Sequence, residues 1–167
     1  MKERSLISRA VIFIVTLLGF LMAYYLKETK DYLSIPSLEM QTIEGDLIST
    51  ADIKDSKTPC AFVFFHPECS FCREEIDDIM STCVSNHEYK WFFVTTASPI
   101  DAKIMFLQYD KNMCEKVYVV SEEDYPRIHL IYDVTSPPAI FLYNSKGRLY
   151  WHRKGELPKG TIASIIK

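Results

Sequence analysis

Cys69-Ser70-Phe71-Cys72 is the part of this sequence whose residue types and spacing most plainly carry chemistry. A continuous apolar run at residues 60–65 precedes it, and Ile76, Ile79, Met80, Cys83 and Val84 follow at helical spacing. The pattern places the first cysteine at a helix N-terminus directly after a buried strand. Unpaired backbone N–H groups and the positive end of the helix dipole favour the thiolate there, which is the form that attacks sulfur. Cys72 lies one turn further on the same face, where it can resolve a mixed disulfide made at Cys69. Two other readings compete for the pair. Zinc takes four ligands as a rule, and beyond His66 the sequence offers neither a second CxxC nor a spaced pair of histidines. The pair could also be two inert buried thiols, but a CxxC beside alternating strands and helices is the redox signature.

The elements that must position the pair follow from periodicity. Residues 38–48 alternate around Glu44-Gly45-Asp46 and predict a hairpin. Residues 60–65, 91–96 and 117–120 read as strands, and 100–109 reads as a helix. Residues 125–133 predict a short helix entered through Pro126. Residues 139–143 and 148–152 predict two strands joined by a turn at 144–147, and 158–166 predicts a terminal helix. This alternation implies an α/β domain, a mixed sheet with helices on both faces.

The 167 residues, 48% hydrophobic and 25% charged, fit one such domain with a short appendage. Five of the 19 Lys and Arg and two of the 22 Asp and Glu fall in residues 1–30, so residues 31–167 carry a net charge of about −6. An acidic body without a basic stripe argues against nucleic acid as a partner. Residues 10–26 are uncharged and long enough to cross most of a bilayer, with Tyr24 and Tyr25 suited to the headgroup level. Lys2, Arg4 and Arg9 precede the run, while Glu28 and Asp31 offset Lys27 and Lys30 after it. The expected arrangement is a cytoplasmic stub and transmembrane anchor at 1–30 and an extracytoplasmic domain at 31–167, in the periplasm or its equivalent. A cleaved signal peptide and a buried core helix are the alternatives, and Leu21-Met22-Ala23 is a poor cleavage site.

Residues 36–72 (PSLEMQTIEGDLISTADIKDSKTPCAFVFFHPECSFC), then Val134-Thr135-Ser136-Pro137-Pro138-Ala139-Ile140-Phe141-Leu142 and Lys146-Gly147-Arg148, resemble the TlpA/ResA-type branch of thioredoxin-like proteins. The resemblance spans roughly residues 35–167. It implies a thioredoxin-like fold with an N-terminal β-hairpin and a central insertion, tethered outside the cytoplasmic membrane. Its redox cysteines fall on Cys69 and Cys72, the glutamate of its CxxCxxE pattern on Glu75, and its cis-proline on Pro138. Four positions depart from the family pattern. Glu68 stands where an aromatic usually precedes the first cysteine, Ser-Phe separates the cysteines, and Val63 replaces a buried acid. Pro137, before the implied cis-proline, has no N–H, so one of the two hydrogen bonds that dock an extended substrate there is lost.

Charge bears on the direction of exchange. Glu68, Glu74, Glu75, Asp77 and Asp78 surround the pair in sequence, with Arg73 the one nearby cation. An acidic field opposes the thiolate, destabilises the dithiol and makes the couple more reducing. Asp77 and Asp78 also read as the solvated face of the helix. Cys60 and Cys83 read as small core hydrophobes, Cys114 as a loop cysteine open to pairing, and the four histidines as structural or exposed. The expected function is a membrane-anchored thiol-disulfide oxidoreductase that reduces disulfides of extracytoplasmic proteins. The redox-active disulfide serves in place of any cofactor. No nicotinamide or flavin motif is present, so electrons must come from a membrane donor. A peroxiredoxin-like peroxidase is a second reading, weakened by His66 where that family has threonine, and a non-enzymatic metal-binding module is a third.

Overall fold

A computed structural model of the chain describes residues 9, 12–23, 32–85, 88–109, 117–122 and 126–166. The elements run β1 (Glu39–Gln41), β2 (Leu47–Ser49), α1 (Thr50–Asp55), β3 (Cys60–Phe64), α2 (Ser70–Ser85) and β4 (Lys90–Thr95). They continue with α3 (Pro99–Phe106), β5 (Val117–Ser121), α4 (Arg127–Ile131), β6 (Ala139–Tyr143), β7 (Leu149–Lys154) and α5 (Thr161–Ile165). The five-stranded sheet has the order β5-β4-β3-β6-β7, and β1 and β2 form a separate antiparallel hairpin. β3 pairs in parallel with β4 and antiparallel with β6, so the strand that delivers the cysteines is central and the sheet is mixed.

The unbroken apolar character of β3 has a direct cause. Its side chains alternate between two cores, so every position needs an apolar residue. Ala61, Val63 and Phe65 pack with Ile76, Ile79 and Met80 of α2, Ala102 and Phe106 of α3, and Ile162 of α5. Cys60, Phe62 and Phe64 face the opposite layer, with Leu38 and Met40 near the hairpin, Ile53 of α1 and Ile128 of α4. Helices therefore cover both faces, as the alternation of elements predicts. Phe62, Phe64, Phe65, Trp91, Phe92 and Phe93 are all at most 1% exposed and belong to these cores.

The chain departs from the sequence reading at α1, a helix not predicted. Its six residues hold one buried hydrophobe, Ile53, so no apolar period is visible. Its stability comes from hydrogen bonds. Ser49 caps it by accepting from the Ala51 amide, and the buried Thr50 hydroxyl donates to the Pro36 carbonyl at 2.6 Å and accepts from the Leu38 amide at 2.8 Å. α2 begins earlier than its apolar period, at the residue after Cys69.

Among the described residues no helix is long and apolar enough to cross a membrane. Residues 12–23, within the predicted anchor, form a helix with exposed apolar side chains, among them Phe20 at 81%. The flanking positions of that anchor, together with Cys114 and His87, lie outside the described residues.

Candidate active site

The C-terminal end of β3 and the first turn of α2 hold the cysteines. Between them, the Cys69 amide donates to the His66 carbonyl at 3.0 Å, closing a tight turn that sets Cys69 at the N-cap position of α2. The side chains of Cys69 and Cys72 are joined as a disulfide with their Cα atoms 5.2 Å apart. Within it, the Cys72 amide donates to Cys69 Sγ at 3.1 Å. A helix N-cap usually offers oxygen to this amide, and here sulfur takes that place. The same contact would stabilise negative charge on Cys69 after reduction. Cys69 is half-buried, whereas Cys72 is 1% exposed. An incoming disulfide thus meets Cys69 first.

Pro138 follows a cis peptide bond from Pro137 at the start of β6, the strand beside β3. Pro138 is buried and Pro137 half-buried. The Pro138 carbonyl is occupied, accepting from the Gly155 amide at 2.8 Å.

Glu75 lies one turn beyond Cys72 and is 6% exposed. Both of its carboxylate oxygens are buried without a hydrogen-bond partner among the described residues. Burial first, and the charge of Asp78 second, push its pKa up from 4.5 to about 7. The sequence reading counts Glu75 as a full negative charge beside the thiols, and the structure reduces that to about half a charge at neutral pH. The neighbouring acids have other roles. Asp77 accepts from the Tyr109 hydroxyl at 2.6 Å, and Asp78 accepts from the Gly160 amide at 2.9 Å, tying α2 to the approach of α5. Glu68 and Glu74 are exposed, and Arg73 donates to the Pro67 carbonyl at 3.3 Å across the turn before Cys69.

Of the remaining cysteines, Cys60 is a free thiol fully buried in β3, and burial pushes its pKa to about 12. Cys83 is 2% exposed in the α2 core and is disulfide-bonded, so a covalent role joins the packing role read for it. Among the histidines, His66 lies in the turn before Cys69, and its Nδ1 accepts from the Glu68 amide at 3.3 Å. His152 is exposed and stacks on Phe141, while His129 is buried and held by Glu122. The Glu122 and His129 pair escapes a sequence reading because it joins the residue after β5 to α4, seven positions on.

No family model matches the chain. No curated protein matches it either. Its solved structural neighbours are consistent with one another. A secreted Mycobacterium tuberculosis disulfide oxidoreductase homologous to Escherichia coli DsbE superimposes with a TM-score of 0.65 and 17% identity, over 77% of this chain and 92% of that one. The thioredoxin domain of a Bacteroides vulgatus thiol-disulfide oxidoreductase gives 0.62 and 19%, over 80% and 96%. A thiol:disulfide interchange protein of the thioredoxin family from Chlorobium tepidum gives 0.63 and 18%, over 80% and 92%. The fold of this chain is thioredoxin-like. More narrowly, it is the fold that these thiol:disulfide oxidoreductases share.

Proposed function

We propose that the chain is a membrane-anchored thiol-disulfide oxidoreductase that reduces disulfides of extracytoplasmic proteins. The observation that carries this reading is the Cys69–Cys72 disulfide at the head of α2, with the Cys72 amide directed at Cys69 Sγ. In the reduced enzyme the Cys69 thiolate attacks one sulfur of the substrate disulfide. A new S–S bond forms to Cys69, the substrate S–S bond breaks, and the second substrate sulfur departs as a thiolate that takes up a proton. Cys72 then loses its proton and attacks Cys69 Sγ. The internal disulfide forms, and the first substrate sulfur leaves as a thiol. Glu75, with a pKa near 7 and no competing hydrogen bond among the described residues, is suited to receive the Cys72 proton.

An external dithiol must return two electrons to Cys69 and Cys72 before the next cycle. The apolar run at residues 10–26 supports a tether, which makes a membrane-embedded donor the natural partner. The acids around α2 favour the reducing direction by disfavouring thiolate.

The test is disulfide trapping in cells that produce the full chain with Cys72→Ser. The variant should accumulate mixed disulfides through Cys69 to extracytoplasmic proteins, and Cys69→Ser should accumulate none. Equal trapping by both variants, or by neither, would sink the proposal.

A further inference from the structure

A cavity of about 430 Å³ opens between the turn that leads into Cys69 and the loop that carries Pro137. Phe65, Pro126, Leu130 and Val134 give it apolar walls, and His129 lines it too. Its link to the redox centre is short, because His66 also lines it and the His66 carbonyl holds the Cys69 amide. His129 is 8% exposed and stands edge-on to Phe64, with ring centroids 4.9 Å apart. Its Nδ1 meets Glu122 Oε2 at 2.9 Å. Glu122 is fixed in turn, since its two oxygens accept the Ile128 and His129 amides at 2.6 and 3.1 Å.

A carboxylate oxygen only accepts, so Nδ1 carries the proton of this bond, and in the corresponding neutral tautomer Nε2 is a lone-pair acceptor. Nε2 has no hydrogen-bond partner among the described residues and is not among their sealed polar atoms. The ring that lines the cavity is therefore held in place by Glu122 through Nδ1.

We propose that this cavity is a side-chain subsite for the substrate polypeptide, receiving a tyrosine or tryptophan that flanks the reducible cysteine, with His129 Nε2 accepting its O–H or N–H. The proposal rests on the oxidoreductase reading above. His66, in the turn before half-buried Cys69, and Pro137, in the loop before β6, both line this cavity, so it lies beside the approach to Cys69. Pro137 has no N–H to offer a passing main chain, so a side-chain anchor beside it supplies what the backbone cannot. Apolar walls around a buried imidazole, with Thr96, Asp133 and Thr135 also lining the cavity, match an aromatic ring bearing a donor at its edge. An aliphatic side chain would leave Nε2 unpaired, and a carboxylate would approach Glu122 and bring only acceptors.

The test uses the reduced full chain in detergent and short peptides that carry one cysteine as its glutathione mixed disulfide. The peptides differ only in having Tyr, Phe or Ala at each flanking position, and hydroxyethyl disulfide serves as a probe too small to reach the cavity. At one flanking position, kcat/KM should favour Tyr over Phe by about 3- to 10-fold, mainly through KM, and Phe over Ala. His129→Phe should abolish the Tyr preference, bringing the Tyr peptide down to the Phe rate. Thr135→Trp, at an exposed position on the rim, should fill the cavity and bring both aromatic peptides down to the Ala rate. The subsite is refuted if wild type shows no Tyr preference at any position, or if that preference survives Thr135→Trp. Failure of wild type to reduce hydroxyethyl disulfide would instead overturn the oxidoreductase reading itself.

Discussion

Glu75 is a buried carboxyl one turn beyond Cys72. Its pKa is raised from 4.5 in the unfolded chain to about 7 in the fold. The stability it contributes is therefore complete below about pH 4.5 and is lost as pH rises toward 7. The loss is on the order of 3 kcal/mol if burial is complete. Glu75→Gln removes the titration, so thermal unfolding of the variant should change less between pH 4.5 and 7 than that of wild type. An unaltered slope would show that another group carries the dependence. Removing the charge should also raise the reduction potential, by less than about 30 mV because Glu75 is already half-neutral at pH 7. If Glu75 receives the Cys72 proton, exchange should slow by more than that potential change explains. Glutathione titrations run beside rate measurements separate the two effects. The position of Glu75 is legible from the CxxCxxE pattern. Its burial without partners is not, because that depends on how α5 and the preceding loop close over α2.

At the level of elements, the sequence marks long periodic segments clearly and hydrogen-bonded ones poorly. β3 and α2 announce themselves through apolar runs and helical spacing, and together they position the cysteines. α1 is silent because Thr50 and Ser49, rather than a stripe of hydrophobes, hold it in place. The β6–β7 turn is legible from Asn144 and Gly147, and the structure supplies the reason. Asn144 Oδ1 accepts the Lys146 and Arg148 amides at 2.9 and 3.2 Å, and Gly147 has φ +67°. A Cβ at Gly147 would also stand 3.3 Å from Lys54 Cγ. Gly147→Ala should therefore destabilise the domain by about 1–2 kcal/mol in denaturant titrations. Deeper in the same hairpin, Phe141 is fully buried against Phe64 and Tyr132. Phe141→Ala should cost about 3–5 kcal/mol, and a loss below 1 kcal/mol would mean that this layer is not the core it is taken to be.

Across the whole molecule, the two cores are built within residues 35–166, and no described residue of the 12–23 helix belongs to either. Residues 31–167 alone should then fold and reduce hydroxyethyl disulfide at the rate of the full chain, measured by far-ultraviolet circular dichroism and stopped-flow exchange. A truncated chain that fails to fold would assign the N-terminal segment a structural part. On the proposed membrane tethering, the truncation should lose delivery, because a tethered domain meets a membrane donor at an effective concentration set by its linker, while a free one meets it by bulk diffusion. The fold class and the dithiol were within reach of the sequence because both depend on local pattern. The His129 cavity was not, since its walls come from β3, α4 and the Pro137 loop, which only the closed fold brings together.

Cys60 gives the molecule a built-in clock. Its thiol is sealed at the start of the central strand β3 with a pKa near 12, so alkylating reagents reach it only when β3 parts from its neighbours. A pulse of reagent on the oxidised protein, followed by mass analysis at that one position, would record how often the sheet opens without any added label or substitution.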